Sequence, residues 1–128
     1  MRDHASDFNF VLSTAPAVIT ATDTATGIDT RGYDSVTFAI NTGAIVGAGN
    51  FTSKVQDSDV LGSGYVDVAA NYLTGSTLPA VLAAASAYKV GYIGPKRYAR
   101  LVTTLNSGTS IGFSAQMLRS RPSRFPAA

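Results

Sequence analysis

The chain has 128 residues and a mass of 13.2 kDa, the size of one domain and enough to bury a core without covalent staples. It contains no cysteine, which excludes disulfides and thiolate metal sites and suits folding in a cytosol. Its charge divides by position: residues 1–118 carry a net −1, while Arg119, Arg121 and Arg124 give the last ten residues +3, so the pI of about 9.1 belongs to the tail.

A nucleic-acid-binding face spreads Lys and Arg over the folded body, and this body is nearly neutral, so no nucleic-acid partner is expected. No apolar run approaches the ~20 residues of a membrane span, so no membrane partner is expected either. The first ten residues, with Asp3, His4 and Asp7, lack the apolar region of a signal peptide, and Asn50-Phe51-Thr52 is read as a chance sequon. All eight acids are Asp, Glu is absent and there are three Lys, which leaves few helix formers for exposed faces beside abundant Thr, Ser, Gly and Val. The composition predicts an all-β fold.

In chain order, residues 1–15 alternate only around Phe8, Phe10 and Leu12, and read as an extended N-terminal arm or one edge strand. After Pro16, strands are predicted over residues 18–22 and 25–29, with Thr26-Gly27 as a bulge or turn. Residues 35–41 alternate strictly, Val36, Phe38 and Ile40 against Ser35, Thr37 and Asn41, which predicts a central antiparallel strand with one buried face. A Gly-rich loop over 42–50 follows. Residues 51–57 alternate again and are predicted to form a hairpin with the strand before them.

A polar turn over 57–64 and a short strand over 65–68 come next. Residues 80–87, after Thr77-Leu78-Pro79, read either as a short helix or as a crossover loop over the open end of a sandwich. Strands are predicted over 89–93 and 97–105, separated by Gly94-Pro95-Lys96. A last strand over 111–118 puts Ile111, Phe113, Ala115 and Met117 on one face. Residues 119–128, a basic C-terminal arm with three Arg, two Pro and Phe125, do not have the composition to fold alone. About eight short strands predict an antiparallel β-sandwich or jelly-roll-like body over residues 16–118.

The candidate chemistry is thin. Gly43, Gly47 and Gly49 precede a strand, not the Gly-Lys-Ser/Thr helix start of a phosphate loop. Asp57, Asp59 and Gly62 resemble the opening of a calcium loop, but the closing bidentate Glu is missing, and a solvated turn is the better reading. His4 is the single histidine, so neither a zinc site nor a Ser-His-acid triad can be assembled. No catalytic residue, metal site or cofactor is predicted, and the protein is expected not to be an enzyme.

Two stretches are candidates for binding. Residues 91–101 could present Tyr92, Arg97, Tyr98 and Arg100 as a ligand face, as in a carbohydrate-binding β-sandwich module. They could instead be structural, with Tyr92 and Tyr98 packed and both Arg satisfied by Asp side chains or loop carbonyls. The tail Arg-Ser-Arg-Pro-Ser-Arg-Phe-Pro is a basic, Pro-stiffened segment with one aromatic anchor, able to lie along a partner surface.

Four stretches together resemble a known group: Thr-Gly-Ile-Asp-Thr-Arg-Gly-Tyr-Asp-Ser-Val-Thr-Phe at 26–38, Lys-Val-Gln-Asp-Ser-Asp at 54–59, Asp-Val-Ala at 67–69, and Gly-Tyr-Ile-Gly-Pro-Lys-Arg-Tyr-Ala-Arg-Leu at 91–101. They are similar to small structural proteins encoded among the head genes of tailed phages and prophages. The resemblance implies a capsid cement (decoration) protein, made in the cytoplasm of a host bacterium and carried on the outside of the virion. Its partner would be the major capsid protein of an HK97-type shell, bound as a homotrimer at three-fold positions. A head–tail connector or tail component is the alternative within virion biology. Partner contacts are expected at Arg119, Arg121, Arg124 and Phe125, then at Phe8 and Phe10.

Overall fold

The structure, a computed structural model, describes residue 3, residues 5–75 and residues 78–122, with no side-chain placement at 121 and 122. Among the described residues there are ten strands: β1 (Phe8–Ile19), β2 (Asp23–Thr24), β3 (Ile28–Asp29), β4 (Tyr33–Val46), β5 (Asn50–Ser58), β6 (Val66–Asp67), β7 (Leu73–Gly75), β8 (Ala87–Tyr92), β9 (Tyr98–Ser107) and β10 (Ser110–Pro122). They form two antiparallel sheets, one ordered β1-β10-β4-β8-β7 and the other β2-β9-β5-β6, with β3 also on β9. Packed face to face, these make the all-β sandwich that the composition predicts.

The core lies where the alternation puts it. Val36, Phe38 and Ile40 of β4 stand beside Ile111, Phe113, Ala115 and Met117 of β10, and face Phe51, Val55 and Leu101 of the second sheet. Phe38, Ile40, Phe51, Ile111 and Met117 are fully buried.

Residues 51–57 do not form a hairpin with β4. β4 belongs to one sheet, whereas β5 pairs with β9 and β6 in the other. Two strands that each carry one apolar face can pair side by side or face each other, and facing buries both apolar sets against one another. The connections β8–β9 and β9–β10 also pass between sheets, so residues 91–101 are likewise not a hairpin. At the β9–β10 turn Gly108 has φ of +82°, and a Cβ there would lie 2.4 Å from the Ala48 carbonyl oxygen, so only glycine fits.

Residues 80–87 contain no helix; residues 78–86 are the crossover loop. Leu82, 1% exposed, plugs the core from this loop, and its N–H donates to the Phe51 carbonyl at 2.9 Å. Thr42 and Thr52 donate to the Ala83 and Ala80 carbonyls, both at 2.6 Å. With its backbone groups taken up by β4 and β5, the Ala-rich run has no need of a helix.

Neither predicted arm boundary is a break in the structure. β1 begins at Phe8 and runs through residue 15 to Ile19, paired with β10 as an edge strand. Likewise β10 continues past residue 118 to Pro122, because Arg119 and Ser120 still have partners in Asn9 and Phe8 on one side and Val36 and Ser35 on the other.

Candidate functional site

Arg119 continues the inward face of Ile111, Phe113, Ala115 and Met117, and so points between the sheets rather than towards a partner. Its guanidinium donates to Asn9 Oδ1 and, at 2.9 Å, to the Asp29 carbonyl oxygen of the second sheet, and it lies 4.5 Å from the Tyr33 ring centroid. One end of the sandwich is riveted by it. Arg121 is in β10, its side chain outside the described residues, and Arg124, Phe125 and His4 lie outside them altogether.

The proposed ligand face is divided. Tyr98 and Arg100 share the outer side of β9, with Arg97 just before them, but Tyr92 is in the core, 4% exposed. Arg97 makes a two-point ion pair with Asp29, at 3.1 and 2.8 Å, and stacks over Tyr98 at 5.1 Å. Arg100 donates twice to Gln56 Oε1, at 2.9 and 2.7 Å, and covers the Tyr65 ring at 4.0 Å. Gln56 then donates to Asp67, which also pairs with Lys54 at 3.1 Å. A sugar needs an open ring to stack on and unspent donors around it. Here a guanidinium already lies over one face of each ring, Tyr98 and Tyr65, and its Nε and Nη2 donors are taken by Asp29 or Gln56.

The solvated turn expected at Asp57 and Asp59 holds for Asp59, which is exposed, but not for Asp57. The Asp57 carboxyl group is buried, 5% exposed, and accepts from the Tyr92 hydroxyl at 2.6 Å, a bond that ties β5 of one sheet to β8 of the other. Asp59 is paired with Lys96 at 2.8 Å. Among the described residues no three His, Cys, Asp or Glu side chains are grouped to hold a metal ion. A cleft of about 310 Å³ opens between the sheets, with Val55, Val68, Leu73, Leu78 and Val90 in its lining and Lys54 and Asp67 beside them.

These groups set the pH range of the fold. Burial, and then the bond to Asp57, push the Tyr92 phenol far above its ordinary ~10. Its contribution to stability is therefore whole below pH ~10 and is lost as pH rises beyond it. Asp29 is the reverse case: the Arg97 bond, against some desolvation, holds its carboxyl below the ordinary ~3.9. That contribution is present above pH ~4 and is lost as pH falls through the folded value. Urea unfolding followed from pH 2 to 11 is expected to show stability falling at both ends. Asp29→Asn should flatten the acid limb, by a modest amount because the pair is exposed, and leave the alkaline limb in place.

The exposed apolar surface lies elsewhere, on β1. Phe10 and Leu12 are 58% and 63% exposed on its outer side, and the Phe8 ring lies 6.5 Å from that of Phe10. The twelve residues of β1 include no charged side chain. Of the residues predicted to contact a partner, Phe8 and Phe10 are thus the two that the structure places side by side on a surface.

No protein-family model and no curated protein matches this chain. Among the described residues no helix is long and apolar enough to cross a membrane.

Proposed function

We propose that the protein is a non-enzymatic virion component, a capsid cement protein that binds the outer surface of a tailed-phage head and stabilises the shell. The observation that carries this reading is the distribution of its side chains: the candidate ligand groups Tyr92, Arg97 and Arg100 are spent on Asp57, Asp29 and Gln56, while the edge strand β1 presents Phe10 and Leu12 to solvent. Such a surface is suited to contact and not to chemistry. The reading also draws on the resemblance of residues 26–38, 54–59, 67–69 and 91–101 to phage head proteins. A body that binds only the assembled lattice stabilises that lattice by linkage, and many copies add avidity.

The test is to mix purified protein with heads that lack it, sediment them and count bound copies. A count near one per capsid subunit supports the cement role. A handful per head moves the protein to the portal vertex or tail, and no binding overturns the reading. Because Arg119 and Ser120 belong to β10, the informative truncation begins at residue 123. Removal of residues 123–128 is expected to leave the melting temperature within about 2 °C, because a segment of this composition does not fold alone, and to weaken attachment to heads about tenfold or more through loss of Arg124 and Phe125. Unchanged attachment would remove the tail from the mechanism.

A further inference from the structure

β1 is hydrogen-bonded to β10 along one side, and among the described residues no strand pairs with its other side. An open edge is a template for another strand, and proteins guard it with charges, proline, bulges or brevity. The other terminal strands are guarded by brevity: β7 has three residues, and β2, β3 and β6 have two each. β1 has twelve. Its bulges lie between Leu12 and Thr14 and between Thr14 and Ala17, and its proline is Pro16, so its guards are confined to the second half. Residues 8–12 have none of them and pair in unbroken register with residues 116–120 of β10.

We infer that residues 8–12 of two copies of this chain pair antiparallel about a two-fold axis at Phe10, joining their β1-containing sheets into one. The same patch meets itself in a two-fold interface, so any charge on the axis would face its own image. This stretch carries no charge and is self-complementary: Phe10 faces Phe10 of the partner subunit, and each Phe8 faces Leu12 of the partner subunit. Aromatic and aromatic–aliphatic pairs are the favourable cross-strand combinations. The assembly stops at two, because Pro16 and the bulges end the regular edge, and the far side of the same sheet offers only the three residues of β7. The inference rests on the geometry of β1 and not on the cement reading. If both hold, the cement unit has two-fold symmetry in place of the three-fold oligomer that the resemblance implies.

Sedimentation equilibrium of the full chain over a concentration series tests it. The wild-type chain is expected to be a dimer. Phe10→Lys and Phe10→Asp, each placing like charges on the axis, are each expected to weaken association about 100-fold or more, and an equimolar mixture of the two should restore the dimer. Since the chain has no cysteine, Phe10→Cys supplies a single thiol that should form a disulfide-linked dimer under mild oxidation, whereas Val18→Cys, beyond the bulges, should not. The cross-link decides the matter if the charged variants fail to fold. A wild-type monomer or trimer, a Phe10→Lys dimer as tight as wild type, or equal cross-linking at positions 10 and 18 overturns the inference. None of these results alters the count of copies on heads, so the cement reading stands or falls separately.

Discussion

Tyr92→Phe, the loss of one oxygen atom, is expected to lower the unfolding free energy by about 2–3 kcal/mol. The hydroxyl is the side-chain donor to the Asp57 carboxyl group at 2.6 Å, and it also accepts from the Lys96 N–H at 3.1 Å. Its removal leaves Asp57 without this bond inside the sandwich, where water does not replace it, and that desolvation costs more than the bond is worth at the surface. Adding Asp57→Asn to Tyr92→Phe should recover part of the loss, because a neutral amide is cheaper to leave buried than a carboxylate. Urea denaturation of the two single variants and the double variant gives the coupling between the side chains. A loss for Tyr92→Phe below about 0.5 kcal/mol would mean that the pair does not join the sheets. The same variant should also lose much of the fall in stability above pH ~10, which a purely steric defect would not touch.

Phe38→Ala should be the most damaging single truncation, costing about 3–5 kcal/mol. Phe38 is 0% exposed in the middle of β4, flanked in register by Met117 of β10 and Val90 of β8. Those neighbours are held by two ladders of backbone bonds and cannot collapse into the space, so a cavity remains. Domains of this size have about 5–15 kcal/mol in total, so the melting temperature should fall by on the order of 10–20 °C. Phe38→Leu, which keeps part of the volume, should lose clearly less. Thermal unfolding followed by circular dichroism measures both, and equal losses for Ala and Leu would argue that the site repacks.

The strands of the core were legible because each keeps period 2 at its buried face: Val36, Phe38 and Ile40, then Ile111, Phe113, Ala115 and Met117. The same rule carried one step further reaches Arg119, whose inward direction is the next beat of that alternation. Its positive charge made it look like surface, and its partners are Asn9 and the Asp29 carbonyl, 110 and 90 residues away in the chain. Tyr92 was also within reach of the pattern, since Tyr88, Val90 and Tyr92 alternate. The structural reading of residues 91–101 had it packed; what the apparent hairpin at 94–96 got wrong was its neighbour, since it grouped Tyr92 with Tyr98 when the two strands belong to different sheets. Strand pairing was the least legible level, because period 2 states that a strand has a buried face and not which sheet it joins. β1 was obscured for a related reason: its most apolar side faces out, so Phe8, Phe10 and Leu12 lacked the signature of an inward-facing strand.

The position of β10 has a consequence for how the chain acquires its fold. β10 lies between β1 and β4, the earliest and the longest strands of that sheet, and is the only partner β1 has among the described strands. During synthesis at about 5–20 residues per second, β1 leaves the ribosome on the order of ten seconds before the strand that will hold it. Contacts so distant in sequence place the chain among slow folders, on a scale of milliseconds to seconds even once complete. The sheet must close by inserting its last-made strand into its middle, and until then the apolar residues of β1 and the open side of β4 are both exposed to whatever else is nearby.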